Sequence, residues 1–445
     1  MAEDVGITMI PAAPDAAPPD PGPSVLRDCA DAEAYVASVC FKIGPPRLVG
    51  VELEWLLHRP SAPEVPPDVH ALVAALGRHT PTTLDPSSSA LPLPAGSDVT
   101  VEPGGQIELA SPPLPDLGGL LQSVRADAAA LHHLLATQGL RPHTRAADPL
   151  RAPVRVLDVP RYRAMEQAFD RVGPYGRTAM CSTAAVQVCV DAGERGDIAR
   201  RWAAVHALGP VLLAAFANSP VLHGRRTGWK SSRWATWQRA DPVRTAPPPV
   251  LDTTTADPAA AWARRVLETP VLCVRRDGAW EVPRGVTFAD WVNGALGAPP
   301  TTSDLAYHVS TLFPPVRPHG HVEVRYIDAQ AGRRWALPVA VLAALLADPA
   351  VTDRAREACE PAQGRWTAAA RHGLADRALA RAAATVFQLA CSQLPAIGAP
   401  DWVVADLADM TEQQVLRGLC PADTCADDPA EMSADDPETP EGETS

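Results

Sequence analysis

Along most of this chain apolar residues recur every three or four positions, but in a few short stretches they alternate with charged or amide side chains. Residues 50–55 read GVELEW, with Glu52 and Glu54 set between Val51, Leu53 and Trp55. Gln106 and Glu108 interrupt GGQIELAS in the same way, and Glu323 and Arg325 interrupt HVEVRYID. Alternation puts such residues on one face of a β-strand, so three strands are predicted, each with one polar face. A fourth is predicted in STAAVQVCVD, where Val186, Val188 and Val190 oppose Gln187, Cys189 and Asp191.

Helical spacing predicts helices over 31–41, with Asp31 as N-cap, and over 66–78, 117–139, 161–172 and 197–217. Further helices are expected over 288–296, 338–346, 351–360 and 373–393, and a short one from Thr411. Gly104-Gly105 predicts a turn between two strands, and 272–281 reads as a strand pair turning at Asp277-Gly278. Hairpin-like strands separated by helix pairs predict an α+β fold in one catalytic domain over 25–419. The Pro/Ala-rich residues 1–24 and the acidic residues 420–445 lack periodicity and are expected to stay disordered.

Carboxylates converging from separate strands repel one another and lose hydration, so they persist where cations neutralise them. Hard oxygen ligands favour Mg²⁺ or Mn²⁺. Mg²⁺ commonly carries nucleotide phosphates, and an arginine two places after Glu323 would take phosphate charge left over. The pattern alone therefore suggests ATP-dependent chemistry on a sheet.

Charge alters the picture little. The formal net charge is -13, but residues 1–24 hold four acids, residues 419–445 hold nine, and neither stretch holds a base, so the body between them is neutral. No basic surface for nucleic acid is expected. Of 39 basic residues only Lys42 and Lys230 are lysines, so a single arginine carries little information. Nine cysteines without a CxxC pair suggest a reducing compartment. No apolar run approaches the ~20 residues needed to span a bilayer. A soluble, cytoplasmic protein is expected, with no membrane partner.

Other signals are weaker. The segment GRRTGWKSSRWATWQRADPVRT is poor in aliphatics and reads as a functional loop or loop-helix element, with Trp229, Trp234 and Trp237 near helical spacing. Its GRRTGWKS misses the phosphate-loop spacing. His319-Gly320-His321 reads as a loop rather than a transition-metal site, and Cys181 as a packed thiol.

Taken in order, GVELEW, EPGGQIELASPP, TAMCSTAAVQVCVD, SSRWATWQRADPVRT and HVEVRYID resemble the glutamate-cysteine ligases. The resemblance is narrower to the actinobacterial ligases that open ergothioneine synthesis, related to the plant-type group. It implies a glutamine-synthetase-like fold, a curved, mainly antiparallel sheet with helices packed outside, and ATP bound with Mg²⁺ in its concavity. By that analogy Glu52, Glu54, Glu102 and Glu108 hold metal, as does Glu323 with Gln187 near it. Gln187 stands where some relatives carry histidine. Gln106, Arg325 and Arg233 would face the nucleotide, and the two arginines would act on the moving phosphate. The implied reaction joins L-glutamate to L-cysteine. A carboxylate-amine ligase with another acceptor, a carboxylate-pair hydrolase and a non-enzymatic binding protein are the competing readings.

Overall fold

The computed structural model describes residues 24–248, 257–276 and 280–424. The tails expected over 1–24 and 420–445 therefore lie mostly outside the described residues, as does the turn expected at Asp277-Gly278. The described chain continues past 419: Cys420 is buried, and Asp423 pairs with Lys230. Contacts with Ala217 and Lys230, distant in sequence, thus hold residues 420–424 that composition alone assigns to a tail.

The elements that frame the site are, in chain order, helix α1 (Cys29–Cys40), strands β1 (Val49–Trp55), β2 (Asp98–Val101) and β3 (Ile107–Ala110), and helices α2 (Leu117–Ala136), α3 (Pro160–Asp170) and α4 (Tyr175–Cys181). Strand β4 (Ala185–Asp191), helices α5 (Ile198–Ala215), α6 (Ser232–Ala240) and α7 (Thr302–Val309), strands β5 (Val316–Pro318) and β6 (His321–Asp328), and helices α8 (Ala336–Leu346), α9 (Arg377–Gln393) and α10 (Asp401–Gln413) follow. The six strands form one sheet in the order β2-β3-β1-β4-β6-β5. Every pairing in it is antiparallel.

Register decides which side chains meet. Glu54 stands opposite Glu108, and Glu52 opposite Gln187. Thr100 faces Glu108 from β2, while Glu323 lies between Cys189 and Arg317. The polar alternates of all six strands thus share one face. The other face carries Val51, Leu53, Leu109, Val186, Val188 and Val324, all buried. Against it lie α2, α5 and α8, with α9 behind α5 and α8 as a second helical layer. Helix α8 is apolar on all sides because it is enclosed on all sides. At Gly209 in α5 the ring of Trp366 packs so closely that a Cβ would fall 2.0 Å from it.

Several predicted elements move. Helix α1 starts earlier than expected: Asp28 is its N-cap, accepting from the Asp31 amide, while Asp31 pairs with Arg27. Strand β4 is buried on both faces, so Gln187 and Cys189 are not half-exposed; it is the inner strand between β1 and β6. Among the described residues of 272–281 the pairing is a single Val274–Glu281 bridge. Helix α7 is an addition to the expected elements, and Thr411 lies near the end of α10 instead of opening a helix. Among the described residues no single helix is long and apolar enough to cross a membrane.

Candidate active site

The polar face of the sheet opens into a cavity of about 280 Å³, lined by Glu52, Glu54, Glu102, Glu108, Gln187, Arg161, Arg233, Arg317, Glu323 and Arg325, with Met165, Met180, Trp237 and Phe313 as apolar wall. Five separated segments supply these charges. Glu102 enters from the β2–β3 turn, where the Gly105 amide donates to its carbonyl and Gly105 adopts φ +83°. Gly104 in that turn touches the next layer: a Cβ would lie 2.3 Å from the carbonyl oxygen of Cys181. Only a residue without a side chain lets the turn seat there.

Four carboxylates gather on one side. Gln187 donates to Glu54 (2.9 Å) and Thr100 to Glu108 (2.6 Å). Among the described residues no arginine, lysine or histidine forms an ion pair with any of the four. Burial, then Glu102, pushes the Glu54 pKa up to about 7. Burial, then Glu102 and Glu54, pushes that of Glu108 up to about 8. Glu52 is raised by burial and by Glu108, and Glu102 by burial, with Arg161 opposing. Such a cluster is short of positive charge.

These residues fit a hard divalent cation. Gln187 adds a buried Oε1 that has no hydrogen-bond partner. Among the described residues, no three Asp, Glu, His or Cys side chains already form a cage for one ion.

Glu323 is held by two arginines. Its Oε2 accepts from Arg317 Nε (2.7 Å), its Oε1 accepts from Arg317 Nη2 (3.0 Å), and Arg325 also donates to Oε1. Burial raises its pKa, but Arg317 and Arg325 outweigh that and hold it far below the carboxylate range. Each oxygen of Glu323 accepts from a guanidinium, so the carboxylate anchors Arg317 and Arg325 on the cavity face of the sheet. A bulge in β6 between Val324 and Ile327 sets the local direction of Arg325.

Gln106 holds the turn that carries Glu102. Its amide donates to the carbonyls of Met180 and Thr183 (3.0 Å each) and accepts from Gly104 N (2.9 Å). It clamps the β2–β3 turn to the start of β4, and its hydrogen bonds go to backbone instead of to a nucleotide. Arg233 is buried, donates Nη2 to the Arg325 carbonyl (2.8 Å), and among the described residues has no hydrogen-bond acceptor at Nε or Nη1.

The Trp/Arg segment is largely helical, since 232–240 form α6. Trp234 stacks on Trp366 at 4.9 Å and belongs to the core. Trp237 reaches the cavity and donates to Thr183 Oγ1 (3.2 Å). Trp229 lies against Arg239 and Arg371. His319-Gly320-His321 makes the β5–β6 turn, with Gly320 at φ +78°.

Sequence reasoning misses Arg317, Arg161, Thr100 and Asp328. For Arg317 a signal exists: the His-Gly turn between it and Glu323 pairs the two across a hairpin. Arg161 carries none in an arginine-rich chain. It reaches the cavity from α3, bonded to Ser310 and flanked by the Tyr307 ring at 5.1 Å.

The sequence model of the glutamate-cysteine ligase family 2 (GCS2) matches residues 48–433. The chain belongs to this family. The ligase is 39% identical over 413 residues to the glutamate–cysteine ligase EgtA of Mycobacterium tuberculosis, covering 90% of each chain. It is 31% identical over 255 residues to the chloroplastic glutamate–cysteine ligase of Brassica juncea, 54% of this chain and 48% of that one. Its fold is similar to a glutamate–cysteine ligase from Francisella tularensis solved in complex with AMP, with a TM-score of 0.50 at 12% identity over 86% of this chain and 84% of the other. At that identity the likeness shows the ligase fold. The sheet with its helical layers agrees with the α+β, glutamine-synthetase-like expectation.

Proposed function

We propose that the protein joins the γ-carboxylate of L-glutamate to the amino group of L-cysteine, using ATP and Mg²⁺, and releases ADP and phosphate. The observation that carries this reading is one cavity with four glutamates on one side, none in an ion pair among the described residues, and the guanidiniums of Arg233, Arg317 and Arg325 on the other. Negative charge that needs metal thus faces positive charge that needs phosphate. The 39% identity to the mycobacterial enzyme supports the substrates, and the resemblance to actinobacterial ligases supports use of the dipeptide in ergothioneine synthesis.

A carboxylate is a poor acyl donor, because its charge repels a nucleophile and oxide does not leave. Attack of the γ-carboxylate oxygen on the terminal phosphorus of ATP expels ADP and gives γ-glutamyl phosphate. The cysteine amine then attacks the acyl carbon, the C–N bond forms, the C–O bond breaks, and phosphate departs. No protein nucleophile is required.

Glu52, Glu54, Glu102 and Glu108, with Gln187 Oε1, would hold Mg²⁺. When bound, the metal neutralises and orients phosphate oxygens. Arg325 and Arg233 aim N–H groups at charge on the moving phosphoryl group, with Glu323 and the Arg325 carbonyl fixing their directions. Trp237, Phe313, Met165 and Met180 keep water from the acyl phosphate.

The test is incubation of the protein with ATP, Mg²⁺ and L-glutamate, with and without L-cysteine, following phosphate release and identifying the product by mass. Cysteine-dependent release with a γ-linked dipeptide is expected. Glutamate-dependent release without dipeptide would refute the acceptor assignment, and no turnover beside an active control ligase would refute the reaction.

A further inference from the structure

We infer that Asp328 is a positioning residue that holds Arg233 in its phosphate-facing orientation; this deepens the function proposed above and rests on it. Asp328 closes β6 and is fully buried. Its Oδ2 accepts from Asn218 N (2.8 Å) and Ser219 Oγ (2.7 Å), and its Oδ1 accepts from Ser231 Oγ (2.8 Å). Arg233 Nη1 stands 3.7 Å from Oδ1, close enough for charge attraction and too far for a hydrogen bond.

Both serines lead back to α6. Ser231 caps the helix by accepting from Trp234 N, and Ser219 Oγ accepts from Arg233 N (3.2 Å). Asp328 thus ties the end of the strand that carries Arg325 to the first turn of the helix that carries Arg233. A free arginine side chain samples many rotamers. Here the guanidinium is held by the Arg325 carbonyl on one side and the Asp328 charge on another. Two of its nitrogens, Nε and Nη1, stay without an acceptor inside the protein. A buried donor left open is costly unless a ligand oxygen completes it, and donors fixed before the reaction stabilise developing charge best.

The test is a double-mutant cycle. Asp328→Asn keeps the size and an acceptor oxygen but removes the charge. It should lower kcat by about 10-fold, less than the ~100-fold or more typical of deleting a transition-state donor, with KM for glutamate and cysteine within about 2-fold. In an Arg233→Ala background the same change should alter kcat by less than about 2-fold, because the residue it positions is gone. An equal loss in both backgrounds, or no loss in either, overturns the inference. If Asp328→Asn does not fold, Ser219→Ala tests the same linkage, with about 3-fold expected alone and none beside Arg233→Ala.

Failure of the wild type to make the dipeptide refutes the proposed function instead. The linkage is then read from ATP affinity by calorimetry: Asp328→Asn weakens binding only where Arg233 is present, and equal weakening without Arg233 refutes it.

Discussion

In the metal-free protein, stability should fall as pH rises from 6.5 to 8.0. A carboxyl group whose folded pKa lies above its unfolded value keeps a proton that the unfolded chain has released, so stability falls between the two values. Burial and mutual repulsion place Glu54 near 7 and Glu108 near 8, against 4.5 for an ordinary glutamate. The buried histidines act in the opposite sense: His143 and His308 fall to about 3, His132 and His206 to about 4, all chiefly by burial. They add stability as pH rises toward 6.5 and are silent above it. Buried thiols such as Cys40 and Cys181, raised to about 12 by burial, matter only beyond the window's alkaline end.

Within the window Glu108 titrates over about 1.5 pH units and Glu54 over about 0.5, at 1.36 kcal/mol per unit. The expected loss is on the order of 2 kcal/mol or more, because Glu52, also raised by burial and by Glu108, acts in the same sense. Urea unfolding followed by tryptophan fluorescence in chelator, at half-unit steps of pH, measures it. Mg²⁺ with ATP should cut the loss to under about 1 kcal/mol, because cations favour the ionised carboxylates. Glu108→Gln should remove most of the slope. Stability that is flat or rising across the window without metal, or an unchanged slope in Glu108→Gln, would refute the reasoning.

Three further outcomes follow from the same geometry. Glu54→Gln should lower kcat by about 100-fold or more without lowering the urea midpoint, since it removes a metal ligand and a buried repulsion together; wild-type turnover in phosphate release would sink the assignment. Gln106→Leu strands the Met180 and Thr183 carbonyls and the Gly104 amide, so it should cost about 2–4 kcal/mol in urea unfolding; an unchanged midpoint would contradict the clamp. Trp237→Ala should raise ATP hydrolysis per dipeptide formed, whereas Trp234→Ala should cost about 3–5 kcal/mol of stability with coupling intact. Equal coupling ratios in both variants would count against Trp237 as a barrier to water.

Much of the site is legible in the order of residues, because strand periodicity is local. Alternation picks out Glu52, Glu54, Gln187 and Arg325, and register puts Glu54 opposite Glu108 and Glu52 opposite Gln187. Arg161 is hidden for a compositional reason, since among so many arginines it does not stand out until its neighbours are known, whereas the His-Gly turn before Glu323 marks Arg317 as its hairpin partner. The Trp/Arg segment reads as a loop candidate for want of aliphatic residues, yet tryptophan and alanine give α6 its buried face.

The sequence by itself determined that polar side chains would line one face of several strands, which helices would flank them, and that the two ends of the chain carry its excess acid. Each of these rests on neighbours in the chain, through backbone geometry and the spacing of apolar residues. Only the tertiary structure decided how each polar residue's bonding capacity is used. Glu323 and Gln106 resemble ligands in the strand pattern, but the guanidinium of Arg317 and the carbonyls of Met180 and Thr183 take up their polar atoms. Asp328, a strand end with no signal of its own, is the anchor of Arg233. Hydrogen bonds and ion pairs form between groups far apart in sequence, and no local pattern encodes which partner arrives.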